Sequence, residues 1–133
     1  MTCILLIDDS AEIRTLVGDL LTGSTYQYCA VSSPEEAHAI CAQVKVDLIL
    51  CDLVLRMQAE DGQIDELNVS AMVGLRAISE FAARRPECPV VAMSGALTGE
   101  PLKAVERFGA TGTLSKPFSR RQLLDVIDQA LAA

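Results

Sequence analysis

The chain has 133 residues, 50% of them hydrophobic, and a formal net charge of -7. That length fits one domain with a sizeable core and leaves no room for a second, so residues 1–133 are read as a single unit. The negative balance repels a phosphate backbone, which argues against direct binding of DNA or RNA. No apolar run has the length of a membrane span, and the start lacks the basic region and apolar stretch of a signal peptide, so a cytoplasmic protein without membrane contact is expected.

Strand-like and helix-like segments alternate along the chain, the pattern of βαβ units and a parallel sheet. Residues 3–7 form an apolar run that reads as a buried first strand, closed by Asp8-Asp9. Ile13, Leu16, Val17, Leu20 and Leu21 then recur at the spacing of one helical face, predicting a helix over Ala11–Leu21 that stops at Gly23-Ser24. Residues 26–31 read as strand two. Ser33-Pro34-Glu35-Glu36 combines an N-cap serine, proline at the first helical position and a glutamate placed for a capping box, opening a helix that buries Ala37, Ile40, Cys41 and Val44. Strand three ends at Asp52, and a third helix is predicted from Gly74 to Arg84 with Leu75, Ile78 and Ala82 inward. Residues 89–93 predict strand four, 102–108 a short helix and Gly112–Ser115 strand five. A capping box at Ser119-Arg120-Arg121-Gln122 opens a last helix burying Leu123, Leu124, Ile127, Ala130 and Leu131. The expected fold is α/β: a doubly wound, flavodoxin-like five-stranded parallel sheet in the order 2-1-3-4-5, with five helices.

In an open parallel sheet, side chains at the carboxyl ends of the strands line one crevice. Asp8, Asp9 and Asp52 close strands one and three, and Lys116 follows strand five. Carboxylates crowded together repel, and a divalent cation with oxygen ligands relieves that repulsion, so the three acids form a candidate magnesium site. The lysine supplies a point positive charge suited to a phosphoryl oxygen. The five cysteines, Cys3, Cys29, Cys41, Cys51 and Cys88, are odd in number and lack C-x-x-C spacing, as expected of buried reduced thiols. His38 lies among polar helix positions and is expected to be solvated; Tyr26 and Tyr28 are expected to pack at a strand edge.

The ordered series Asp8-Asp9, Asp52, Ser94 and Lys116-Pro117, each on the expected element, resembles the receiver domain of two-component response regulators over essentially the whole chain. The resemblance implies that Asp52 accepts a phosphoryl group from a phosphohistidine and that Asp8, Asp9 and Asp52 hold Mg2+ with the main-chain carbonyl of Val54. It implies that Lys116 contacts the phosphoryl oxygens and that Ser94 reports the modification, with Gly95 and Ala96 leaving room beside it. Implied partners are a sensor histidine kinase or histidine phosphotransfer protein and a downstream protein target. The role is that of a signalling protein taking part in its own magnesium-dependent phosphorylation and dephosphorylation rather than an enzyme. With no linker or second module after the last helix, output is expected through protein contact or onward phosphotransfer.

Two departures stand out. Receivers often carry an aromatic residue three positions before the lysine, where this chain has Thr113. They also pass from acceptor to a glycine before helix three in a short loop, whereas here residues 53–73, acidic and irregular between 57 and 67, read as a long insertion before Gly74. Helix one, through Ala11, Arg14, Thr15 and Gly18, is the expected kinase-facing rim, with Phe118 either exposed beside it or packed under the last helix. Other classes fit less well. Aspartate-nucleophile phosphatases similar to the haloacid dehalogenase family carry a second acid two residues after the first, where Ser10 stands, and a flavin carrier would need a hydroxyl- and glycine-rich loop where this chain has acids. A receiver-like scaffold that is not phosphorylated is the remaining alternative.

Overall fold

In a computed structural model, residues 1–53, 66–95 and 102–133 are described, with the backbone alone at 66–72. Strands β1 (Cys3–Ile7), β2 (Gln27–Val31), β3 (Leu48–Asp52), β4 (Val90–Ser94) and β5 (Gly112–Ser115) form one parallel sheet in the order β2-β1-β3-β4-β5. Helices α1 (Ala11–Leu21), α2 (Pro34–Gln43), α3 (Glu66–Arg84) and α4 (Arg120–Ala132) lie between and after the strands.

The continuous apolar runs of β1, β3 and β4 follow from burial on both faces, since every residue of these strands is buried. Alternate residues supply two cores. Leu5, Ile7, Ile49 and Cys51 face Ala37 and Cys41 of α2 and Ile78 and Phe81 of α3. Ile4, Leu6, Leu48 and Leu50 face Val17 and Leu21 of α1 and Leu123 and Ile127 of α4. The edge strands β2 and β5 are only partly covered.

The topology matches the sequence-based expectation, with local corrections. Among the described residues there are four α-helices rather than five, because the short helix expected over 102–108 is a 3-10 helix at Ala104–Phe108. Leu102 and Lys103 just before it are α-helical, and Gly109, at φ 115°, ends the 3-10 turn. Helix α3 starts at Glu66 instead of Gly74, so residues 66–73 of the expected loop are helical. Gly74 is no boundary: it lies inside the helix where a Cβ would come within 1.8 Å of the Leu53 carbonyl oxygen, so glycine is what lets α3 cross the end of β3.

Three side chains also depart from expectation. Val44, expected inside, is 48% exposed beyond the end of α2, and Leu16 is 41% exposed because the buried face of α1 centres on Val17 and Leu21. Of the two places open to Phe118, it takes the packed one, buried against the α1–α4 core. His38 is half-buried rather than solvated, stacked on Phe81 with ring centroids 4.2 Å apart and 3.6 Å from the Glu80 carboxylate.

Candidate functional site

Asp8 and Asp52 stand at the carboxyl ends of the two central strands β1 and β3, which pair in register from Ile4↔Leu48 to Ile7↔Cys51. Asp8 is fully buried and Asp52 nearly so. One carboxylate oxygen of each of Asp8, Asp9 and Asp52 lies within 4.8 Å of the others, so the acids expected from the sequence do converge. A set of three hard carboxylate oxygens suits Mg2+, which takes few protein ligands and keeps several waters. The fourth expected ligand, the Val54 carbonyl, lies outside the described residues, as do Ala96 and residues 54–65.

Lys116 reaches into this cluster from the end of β5. Its Nζ donates to Asp8 Oδ2 at 2.9 Å and stands 3.3 Å from Asp52 Oδ1. Burial alone would lower the pKa of this ammonium, but the hydrogen bond to Asp8 and the charges of Asp52 and Asp8 outweigh it and hold the value above that of an ordinary lysine. The lysine therefore stays charged, and its single charge faces three carboxylates.

Asp8 is held on every side. Its amide donates to the Val31 carbonyl at 3.1 Å, its Oδ1 accepts from the Ser10 amide at 2.9 Å, and its own carbonyl accepts from Arg14 Nη1 at 2.8 Å. Ser10, not Asp9, caps α1, its hydroxyl accepting from the Ile13 amide at 3.3 Å. Capping thus places no demand on Asp9, whose carboxylate joins the cluster of Asp8 and Asp52.

Ser94 is fully buried as the last residue of β4, one position beyond Met93, the register partner of Asp52. Its carbonyl accepts from the Lys116 amide at 2.8 Å, tying the ends of β4 and β5 together. A Cβ at Gly95 would rest 3.6 Å from Lys116 Cβ, in ordinary contact with the lysine stem. Thr113, where an aromatic was expected of a receiver, is half-buried on β5 opposite Ala92. The sequence places Arg14 on the outer face of α1 and Tyr28 at a strand edge, whereas Arg14 donates to the Asp8 carbonyl and Tyr28 to the Arg14 carbonyl.

A family model for the response regulator receiver domain matches residues 4–128. The chain belongs to this family. Regulatory protein VirG of Agrobacterium fabrum is 29% identical over 129 residues, which span 96% of this chain and 45% of VirG. Response regulator protein FleR of Pseudomonas aeruginosa is 29% identical over 126 residues, 93% of this chain and 23% of FleR. The chain thus spans less than half the length of these relatives. The receiver domain of NtrX from Brucella abortus superposes with a TM-score of 0.80 at 27% identity, covering 98% of both chains. Chemotaxis protein CheY4 of Vibrio cholerae shares the fold, with a TM-score of 0.77 at 24% identity over 98% of each chain. This receiver is a signalling domain of two-component systems, and among its described residues no helix is long and apolar enough to cross a membrane.

Proposed function

We propose that Asp52 accepts a phosphoryl group from a phosphohistidine on a sensor histidine kinase or histidine phosphotransfer protein. The observation that carries this reading is the Lys116 ammonium held between Asp8 and Asp52 beside three convergent carboxylates. An Asp52 oxygen forms the new bond to phosphorus while the phosphorus–nitrogen bond of the donor breaks and its electron pair leaves with the imidazole. Lys116 neutralises charge on the oxygens of the moving group. Asp8, Asp9 and Asp52 would hold Mg2+, whose positive charge would offset the charge of the acceptor and phosphoryl oxygens. Ser94 stands ready to donate its hydroxyl to the phosphoryl group, which adds about 1.5 to 2 negative charges, and so carries the change into the loop after β4.

Output then runs through contact with a downstream protein or onward phosphotransfer. Incubation with a phosphorylated histidine donor and Mg2+ should label the wild-type domain and leave Asp52→Asn unlabelled but folded. Full labelling of that variant would remove Asp52 as acceptor, and an unlabelled wild type would leave a scaffold that works without phosphorylation.

A further inference from the structure

The acidic pair is served by a strap that neither the sequence pattern nor the phosphoryl chemistry requires. Arg14 turns its guanidinium back over the first turn of α1 to the Asp8 carbonyl, at 2.8 Å. The Arg14 carbonyl in turn accepts from the Tyr28 hydroxyl at 2.6 Å. Tyr28 lies on β2 opposite Ile4, and its ring is fixed against Gly18, where a Cβ would come within 3.0 Å of Tyr28 Cε2. The Asp8 amide donates to Val31 on that same strand. Both peptide groups flanking Asp8 are therefore anchored to β2, one directly and one through Arg14 and Tyr28. The second is the peptide that joins Asp8 to Asp9.

We propose that Arg14 and Tyr28 are positioning residues for magnesium binding: together they fix the plane of the Asp8–Asp9 peptide, and with it the directions in which the two carboxylates leave the backbone. The inference rests on the receiver reading above. Tyr28 remains a hydrogen-bond donor throughout the ordinary pH range, since burial pushes its phenol up to about 12. The charge on Arg14 gives the idea a sharp sign. A guanidinium beside a cation site opposes the cation, so if Arg14 acted only through its charge, its removal would tighten magnesium binding. Positioning requires the reverse. Partners that orient metal ligands without touching the metal are worth about 10- to 100-fold in affinity.

The test is a Mg2+ titration of the unphosphorylated domain, followed by calorimetry and by amide chemical shifts, at a temperature where each variant is fully folded. Arg14→Ala should weaken Mg2+ binding by about 10-fold. Arg14→Lys, which keeps a charge and a donor, should recover part of the loss. Tyr28→Phe, which leaves every charge in place, should weaken binding by roughly 3-fold, within the net worth of one hydrogen bond. A role in stability alone would lower the melting temperature without moving the affinity. Unchanged or tighter binding in folded Arg14→Ala overturns the inference, and should that variant not fold, Tyr28→Phe decides by the same two outcomes. Absence of Mg2+ binding by the wild-type domain would instead sink the receiver reading itself.

Discussion

Lys116 holds two carboxylates at once, and Asp8, its closer partner, is wholly buried. Removing one member of a buried ion pair leaves the other charge stranded, at a cost of about 3 to 5 kcal/mol. Urea denaturation of Lys116→Met in EDTA should show a loss of about 3 kcal/mol, and Mg2+ should restore part of it. Asp9→Asn should do the opposite: it relieves repulsion and raises the EDTA midpoint, but abolishes the gain of about 1.4 kcal/mol that the wild type should show at ten times its dissociation constant for Mg2+. A wild type indifferent to Mg2+ would contradict both. At this scale the acids and the lysine were legible because each closes a short strand, and strand ends in a parallel sheet share one crevice. Arg14 was not, because helical periodicity assigns it to the polar face and says nothing of a guanidinium folding back to a carbonyl six residues earlier. His38 was missed for a related reason: its stacking partner Phe81 is on another helix, joined to it only by the tertiary fold.

Helix boundaries with side-chain signals read correctly, and those set by packing did not. Ser33 and Ser119 cap α2 and α4 as expected, but the box expected at α2 is replaced by Glu36 Oε1 accepting from the Ser32 and Ser33 hydroxyls at 2.7 and 3.3 Å, whereas at α4 the Gln122 side chain accepts from the Ser119 amide at 2.8 Å. Ser119→Ala should cost about 1 kcal/mol in thermal or chemical unfolding. Gly74 misled because glycine usually marks an end, whereas here it marks a close crossing of α3 over β3. Gly74→Ala must push the helix away from Leu53, next to Asp52, and should destabilise by about 3 kcal/mol, the upper part of the range for overpacking. A neutral effect on urea unfolding would show that α3 shifts there freely. Because α3 begins at Glu66, any shortening meant to test the acidic insertion belongs at 57–64, where it should spare labelling by a small phosphodonor and change the rate with a protein donor.

The shifted cysteine, tyrosine and lysine titrations of the molecule all point one way. Burial raises Cys29 to about 11, Cys88 to about 12 and both Tyr26 and Tyr28 to about 12; Lys116 is raised as well, its ion pairs overcoming burial. A group whose folded value lies above its unfolded one contributes stability below the unfolded value and loses it as pH rises through the folded one. The unfolded values lie at 9.0 for the thiols, 10.0 for the tyrosines and 10.5 for the lysine. Stability in reducing buffer should therefore decline from about pH 9 to 12, and Tyr28→Phe should flatten the upper part of that decline. A melting temperature constant between pH 9 and 11 would be inconsistent with these buried groups.

The sheet order separates the site's charges by how firmly they are anchored. Asp8, Asp52 and Ser94 end the three interior strands, while Lys116 follows the outermost one. Outer strands open at a fraction of the free energy needed to unfold the whole molecule. A brief detachment of β5 would carry the ammonium away and leave the acids in place, turning a tempered anionic site into a bare one. Native-state hydrogen exchange should accordingly show the Lys116 amide, bonded to Ser94, opening at lower free energy than the amide of Asp8, bonded to Val31. Equal protection at the two would mean that the lysine is as permanently seated as the acids it serves.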